Sequence, residues 1–239
     1  MNLLAIESSA SAASVAIAKD GALVAQYFQN NGQTHSRTVL PMIESMLENC
    51  EWTLQDVDVI AVAAGPGSFT GLRIGISIAK GLAWQGGKLC CGVSTLEAMA
   101  HLLSHMEDAM ICPVMDARRN QVYNALFESQ GGKLCRLCED RAIGLKELLD
   151  ELKSIKKRKI LIGDGALLCY TYAEKQGERL YLPPAHLRVQ SAWGVACAAQ
   201  TLAEAGLLVS PDGLQPSYLR LSQAERERLE REQSQKTDQ

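Results

Sequence analysis

Short apolar runs separated by turn-forming residues open the chain and predict strands over residues 2–7, 13–18 and 22–28. Lys19-Asp20-Gly21 joins the second run to the third, because Asp-Gly supplies the positive φ that a tight hairpin needs. From about Ser36 to Cys50 the spacing becomes helical, with apolar Val39, Leu40, Ile43, Met46 and Leu47. Pro41 is expected near the first turn of that helix, where amide donors lack partners in any case. Val57–Ala64 is almost wholly apolar and reads as a strand buried between helices. A glycine-rich loop, a long helix to about Trp84 and a strand at Leu89–Val93 follow. Ser94-Thr95-Leu96-Glu97 opens the next helix as a capping box, satisfying free amides in both directions.

The second half repeats this order. Strands are expected at 111–115, 121–128 and 133–139, the last two forming a hairpin around Gly131-Gly132. A helix near 145–155, the strand Lys159–Ile162, a helix after Gly163-Asp164-Gly165 and a final helix at about 191–206 complete it. Each half thus reads as three strands, helix, strand, helix, a duplication of architecture and not of letters. The pattern matches an α/β protein of the actin-like ATPase (ribonuclease H-like) fold. Its first lobe is expected over residues 1–106 and a reduced second lobe over 107–222. Nucleotide lies between the lobes in that fold, but architecture alone does not give function. Residues 223–239 form a charged tail, in which Ala224–Gln233 has no apolar stripe and is expected to be a solvated, fraying helix.

Composition narrows the functional classes. A chain of 239 residues can bury about 70% of its unfolded surface and needs no disulfide or metal to fold. Aromatic residues make up only 5%, which argues against a base-stacking surface. A net charge of −3 gives no general attraction to nucleic acid, so any contact with it is expected to be indirect or shared with a more basic partner. Glu7 interrupts the first apolar run before a signal peptide can form, and no run approaches the ~18 apolar residues of a membrane span. The eight cysteines lie mostly in apolar segments and read as reduced thiols of a cytoplasmic protein. Cys135-Arg-Leu-Cys138 is a lone CxxC whose alternating frame suggests a strand and not a metal knuckle.

Candidate chemistry concentrates in Ala64-Gly65-Pro66-Gly67-Ser68-Phe69-Thr70-Gly71-Leu72-Arg73-Ile74-Gly75. The segment follows a buried strand and opens a helix, where free amides and the helix dipole can hold an anion. A tight ligand-free turn explains the same letters, since no Walker lysine follows. Gly71, Gly75, Ala79 and Ala83 recur every four residues and form a flat row for close helix packing, within the chain or against a partner. His101 and His105 have the spacing of metal ligands on a helix, but no third ligand stands nearby in sequence. Asp116 with Arg118 and Arg119 reads as an anion-facing corner or a salt-bridged turn, and Lys156-Lys157-Arg158-Lys159 as a solvated helix end.

The order and wording of several motifs resemble one family over residues 3–220. These are Leu4-Ala5-Ile6-Glu7-Ser8-Ser9, Ser14-Val15-Ala16, His35-Ser36-Arg37, the full GPGSFTGLRIG segment, Met115-Asp116-Ala117-Arg118-Arg119, Gly163-Asp164-Gly165-Ala166 and Pro216-Ser217-Tyr218-Leu219-Arg220. They resemble the TsaB (YeaZ) proteins. The resemblance implies a non-catalytic subunit in threonylcarbamoyl transfer to adenosine 37 of ANN-decoding tRNAs. Its partners would be the catalytic paralogue TsaD and the ATPase TsaE, and alone it would pair with itself. The partner interface would use the first two helices, here His35, Val39, Ile43, Met46 and Leu47 on one and Gly71, Leu72, Gly75, Ile76 and Ala79 on the other.

The resemblance also limits the chemistry. The metal-binding histidines of the catalytic paralogue fall on Thr95 and Met99, so no metal is expected. Glu7 stands where the fold usually has Asp, and Ser8-Ser9 replace its Gly-Thr. Ser8, Ser9, Gly65 and Gly67 remain the candidate nucleotide contacts, with no intrinsic cofactor expected and ATP or ADP only in complex with partners. A phosphotransferase or metallopeptidase of the same superfold is the alternative reading.

Overall fold

The computed structural model describes residues 1–220, and the expected charged tail lies outside them. Strands β1 (Asn2–Glu7), β2 (Ala13–Lys19) and β3 (Ala22–Gln29) run antiparallel, and β4 (Val59–Gly65) and β5 (Leu89–Ser94) add parallel strands, giving the order β3-β2-β1-β4-β5. Side chains of β1 alternate across this sheet. Leu4 and Ile6 pack with helices α1 (His35–Asn49) and α2 (Phe69–Gly86), whereas Leu3 and Ala5 pack on the opposite side. Gly87 ends α2 in the left-handed conformation, at φ 62°.

Pro41 departs from expectation. The helix starts at His35, so Pro41 is its seventh residue and lies in the second turn. The ring removes the amide that would bond the Arg37 carbonyl, and Pro41 faces solvent, where water can replace that bond.

The second sheet repeats the first with two interruptions. Its central strand β6 (Ala109–Asp116) pairs antiparallel with β7 (Gln121–Asn124) and β8 (Phe127–Gln130), and parallel with β11 (Arg158–Ile162). Both β7 and β8 keep one register against β6, so the single strand expected over 121–128 is broken only at Ala125-Leu126. The break lies opposite Pro113, which has no amide to give the ladder, and the Asn124 side-chain amide bonds the Pro113 carbonyl at 3.0 Å. The outer strand is divided likewise into β9 (Lys133–Arg136) on β8 and β10 (Arg141–Gly144) on β7. An isolated parallel bridge from Ile160 to Tyr181 stands where the first sheet has β5. This is the actin-like ATPase fold, with the fifth strand of the second lobe reduced to one bridge.

Helices α4 (Leu145–Lys153) and α5 (Ala166–Lys175) cover the outer face of the second sheet. The two inner helices are exchanged. On α3 (Thr95–His101), Leu96, Met99 and Ala100 pack with Ile111, Phe127 and Ile160 of the second sheet. On α6 (Ala192–Glu204), Val195, Ala198 and Ala199 pack with Leu3, Ala5 and Val93 of the first. A division at residue 106 is therefore crossed in space by both helices. The expected capping box at Ser94 is only half formed. Ser94 Oγ accepts from the Glu97 amide, but the Glu97 carboxylate pairs with Arg136 Nη2 of β9 at 2.7 Å. A second-lobe guanidinium outcompetes the local amide, and the pair ties α3 to the second sheet.

Candidate functional site

The loop Glu7-Ser8-Ser9 leaves β1 directly beneath the glycine-rich segment that leaves β4. The Ser68 amide donates to the Ser9 carbonyl at 2.6 Å, and Ser8 Oγ donates to the Gly71 carbonyl at 2.9 Å. A Cβ on Gly67 would strike Ser9, on Gly71 the Ser8 carbonyl and on Gly75 the Ser8 hydroxyl. The row of small residues therefore admits the backbone of this chain's own first loop. Ser68 caps α2 by accepting from the Gly71 amide at 3.2 Å. One of the free amides at this helix start, that of Gly71, is thereby satisfied internally.

A strap from the far end of the chain covers the same loop. The Ser217 amide donates to the Ala64 carbonyl at 2.7 Å, and the Ser217 carbonyl occupies the place a side chain on Gly65 would need. Gly65 adopts φ 129°, which strongly favours glycine. Tyr218 stacks on Phe69 with ring centroids 4.3 Å apart, and Arg220 Nη1 donates to the Ala117 carbonyl of the second lobe at 2.7 Å. Between the lobes lies a cleft of about 570 Å³, lined by Ser9, Gly67, Asp116, Asp164 and Tyr218 among others.

The floor of this region is acidic. Glu7 is fully buried, and its Oε1 accepts from the Ser9 amide at 2.6 Å, but its Oε2 has no partner among the described residues. Burial raises its pKa from 4.5 to about 7, with Asp164 adding to the rise and Ser9 opposing it. The Ser9 hydroxyl lies near enough to lower the value, yet makes no hydrogen bond of ordinary length. Asp164 opens to the cleft, but the surrounding walls also raise its pKa, against a 2.7 Å bond from Gln190 Nε2. Asp116 settles the other corner as a salt-bridged turn, accepting from the Arg118 amide at 2.7 Å and pairing with its guanidinium at 3.2 Å.

The expected metal spacing is lost. His101 is the last residue of α3 and His105 lies beyond it, so the two do not share a helical face. Burial lowers the pKa of His101. Thr95 and Met99 are buried on α3 and supply no imidazole. Among the described residues no three His, Cys, Asp or Glu side chains gather as a metal site. Cys135 lies on β9, exposed, while Cys138 lies beyond the end of the strand and is half-buried.

The expected interface rows point inward. Val39, Ile43, Met46, Leu72, Ile76 and Ala79 lie in the chain's own core, and Gly71 and Gly75 are closed off by Ser8. Only His35 and Leu47 retain partial exposure, and His35 Nε2 is engaged with the Ala10 carbonyl at 2.7 Å. The outer side of the helix pair carries a different set. Leu40, Phe69, Arg73, Ile74 and Ile78 line an open groove of about 490 Å³. Ile74 and Ile78 had a sequence signal: with Leu72 and Ile76 they make α2 apolar on two sides, and such a helix needs two covers. Tyr218 stands in the Pro216–Arg220 motif, but nothing in the sequence placed it beside α2, a proximity that is wholly tertiary.

Comparison with known proteins agrees with this geometry. Residues 25–226 match the family model described as TsaD, tRNA N6-adenosine threonylcarbamoyltransferase. The tRNA threonylcarbamoyladenosine biosynthesis protein TsaB of Bacillus subtilis is 32% identical over 96% of this chain and 99% of its own length. The Escherichia coli protein of the same description is 30% identical over 92% of this chain and 95% of its own. A solved Pseudomonas aeruginosa protein described as similar to peptidase YeaZ superposes with a TM-score of 0.80 at 26% identity, covering 92% of this chain and 99% of that one. Near-complete coverage in both directions, together with the motif-bearing loops seen above, shows that the chain belongs to the TsaB (YeaZ) family of tRNA threonylcarbamoyladenosine biosynthesis proteins.

Proposed function

We propose that the chain is a non-catalytic subunit that binds and activates the threonylcarbamoyltransferase TsaD, with the ATPase TsaE joining the complex and tRNA reached only through it. One observation carries this reading. The glycine-rich loop is closed on the chain's own backbone, whereas the outer face of α1 and α2 keeps an open groove with apolar Leu40, Ile74 and Ile78. An apolar groove on a helix pair suits another helix, and a stable interface of standard size buries roughly 1,600 Å² in total. The same face can pair two copies when the partner is absent. ATP or ADP belongs to the assembled complex, because Ser68 and the loop glycines already engage Ser8 and Ser9.

Calorimetric titration with the organism's own TsaD tests this reading. Leu40→Arg places a charge in the groove and is expected to weaken binding more than 10-fold, with an unchanged melting temperature. An unaltered dissociation constant for the folded variant would count against the proposal. A phosphotransferase reading draws on Glu7, whose pKa near 7 suits a general base. Steady ATP turnover by the isolated chain, abolished by Glu7→Gln, would favour that reading.

A further inference from the structure

We infer that Arg73 is the anchoring cation of the α1–α2 face and receives a carboxylate carried by an apolar helix of the partner. The inference rests on the partner-binding reading of that face. Three observations fix the chemistry. Arg73 Nε donates to the Tyr218 hydroxyl at 3.0 Å, and its guanidinium carbon lies 3.9 Å from the Phe69 ring centroid. These contacts hold the plane and one edge of the group, leaving the Nη edge for a planar acceptor. Arg73 is exposed at the rim of the groove and has no carboxylate partner among the described residues.

Charge around the group favours an acidic visitor. No acidic residue occupies the first turn of either α1 or α2, and Arg37 is exposed near the start of α1. Both helices follow strands of the first sheet in the same sense, so their positive ends lie together. The apolar groove beside Arg73 then selects the context of the carboxylate, an acid next to aliphatic side chains on one helix face. Pre-ordering by Phe69 and Tyr218 lowers the entropy lost when the guanidinium is engaged. Tyr218 is thus a positioning residue, brought from the C-terminal strap by the Ser217–Ala64 and Arg220–Ala117 hydrogen bonds.

The test is titration of TsaD into the wild-type full chain and into Leu40→Arg, Arg73→Ala, Arg73→Lys and Tyr218→Phe, each at low and high salt. Arg73→Ala is expected to weaken binding roughly 10- to 100-fold and to flatten the salt dependence. Arg73→Lys should recover part of the affinity, restoring the charge without the two-pronged geometry. Tyr218→Phe keeps the stack but releases Nε, and should cost about 3-fold. If Leu40→Arg abolishes binding while Arg73→Ala stays within 2-fold of wild type, the inference fails and the interface stands. If neither variant changes the affinity, the interface reading fails with it. Weakened self-association with unchanged TsaD affinity in Arg73→Ala would assign the carboxylate to a second copy and overturn the inference.

Discussion

The two lobes place the same construction in different surroundings. In each, a parallel strand runs into a Gly-x-Gly turn and then a helix: β4, Gly65-Pro66-Gly67 and α2 in the first, β11, Gly163-Asp164-Gly165 and α5 in the second. In each, the first glycine takes a positive φ beneath a passing carbonyl, of Ser217 over Gly65 and of Val114 over Gly163. The acids that end the first strands diverge. Glu7 is buried with an unpartnered oxygen, whereas Asp116 is paired with Arg118 at the cleft mouth. The helices diverge further. Helix α2 has 18 residues and a grooved outer face, while α5 has 10 and exposes Leu167 and Leu168. A duplicated turn thus serves backbone packing in both lobes, while helix length and outer face differ, and on the proposed reading that difference selects the first copy for a partner.

Overfilling the closed loop should break this contrast most severely. Gly75→Leu drives a side chain into the Ser8 hydroxyl and Val62, and is expected to cost about 3 kcal/mol or more of stability. Denaturant unfolding would register it, and a variant as stable as wild type would show that α2 can move away from the loop. The same measurement on Gly81→Leu, an exposed helical position where a Cβ meets open space, should show no loss and a gain of up to about 1 kcal/mol, because leucine favours the helix over glycine.

The contrast between the acids can be sharpened by pH. Folding raises the pKa of Glu7 from 4.5 to about 7, so between those values the folded state binds more protons than the unfolded one. Stability therefore falls as pH rises through this window, by up to about 3 kcal/mol once Glu7 is ionised. Glu7→Gln should abolish most of that slope and stabilise the protein at pH 8, as read from denaturation midpoints across pH. An unchanged slope in the variant would place the titration elsewhere.

The smallest effect is expected on the second-lobe helix. Leu167→Lys alters an exposed side chain of α5 and should leave stability within about 0.5 kcal/mol and TsaD affinity within about 2-fold. A loss comparable to that of Leu40→Arg would move the partner surface to the other lobe.

Much of the fold was legible because the strands and helices announce themselves in apolar period and turn chemistry. Val59–Gly65 is apolar throughout and is buried throughout, and Asp20-Gly21 forms the expected hairpin with both residues at positive φ. The break at Ala125-Leu126 was not legible, because its cause is Pro113 on the neighbouring strand. The glycine-rich motif was legible as the head of α2, but the side of that helix which turns inward was not. The motif from Gly65 to Gly75 marks the start of α2, but the side of α2 facing the core depends on where Ser8 and Ser9 lie. Small residues spaced by four report close approach without naming what approaches.

The sequence alone determined the alternation of strands and helices, the duplicated order of the halves and the glycine-rich turn at the head of α2. These follow from local backbone preference and from burial period, which neighbouring residues set between themselves. Only the tertiary structure decided that α3 and α6 exchange lobes, that Ser217–Arg220 strap the glycine loop, and that Arg73 lies over Phe69 with its Nε bonded to the Tyr218 hydroxyl. Those contacts join residues as far apart as Arg73 and Tyr218, and chain packing, not local spacing, brings such groups together.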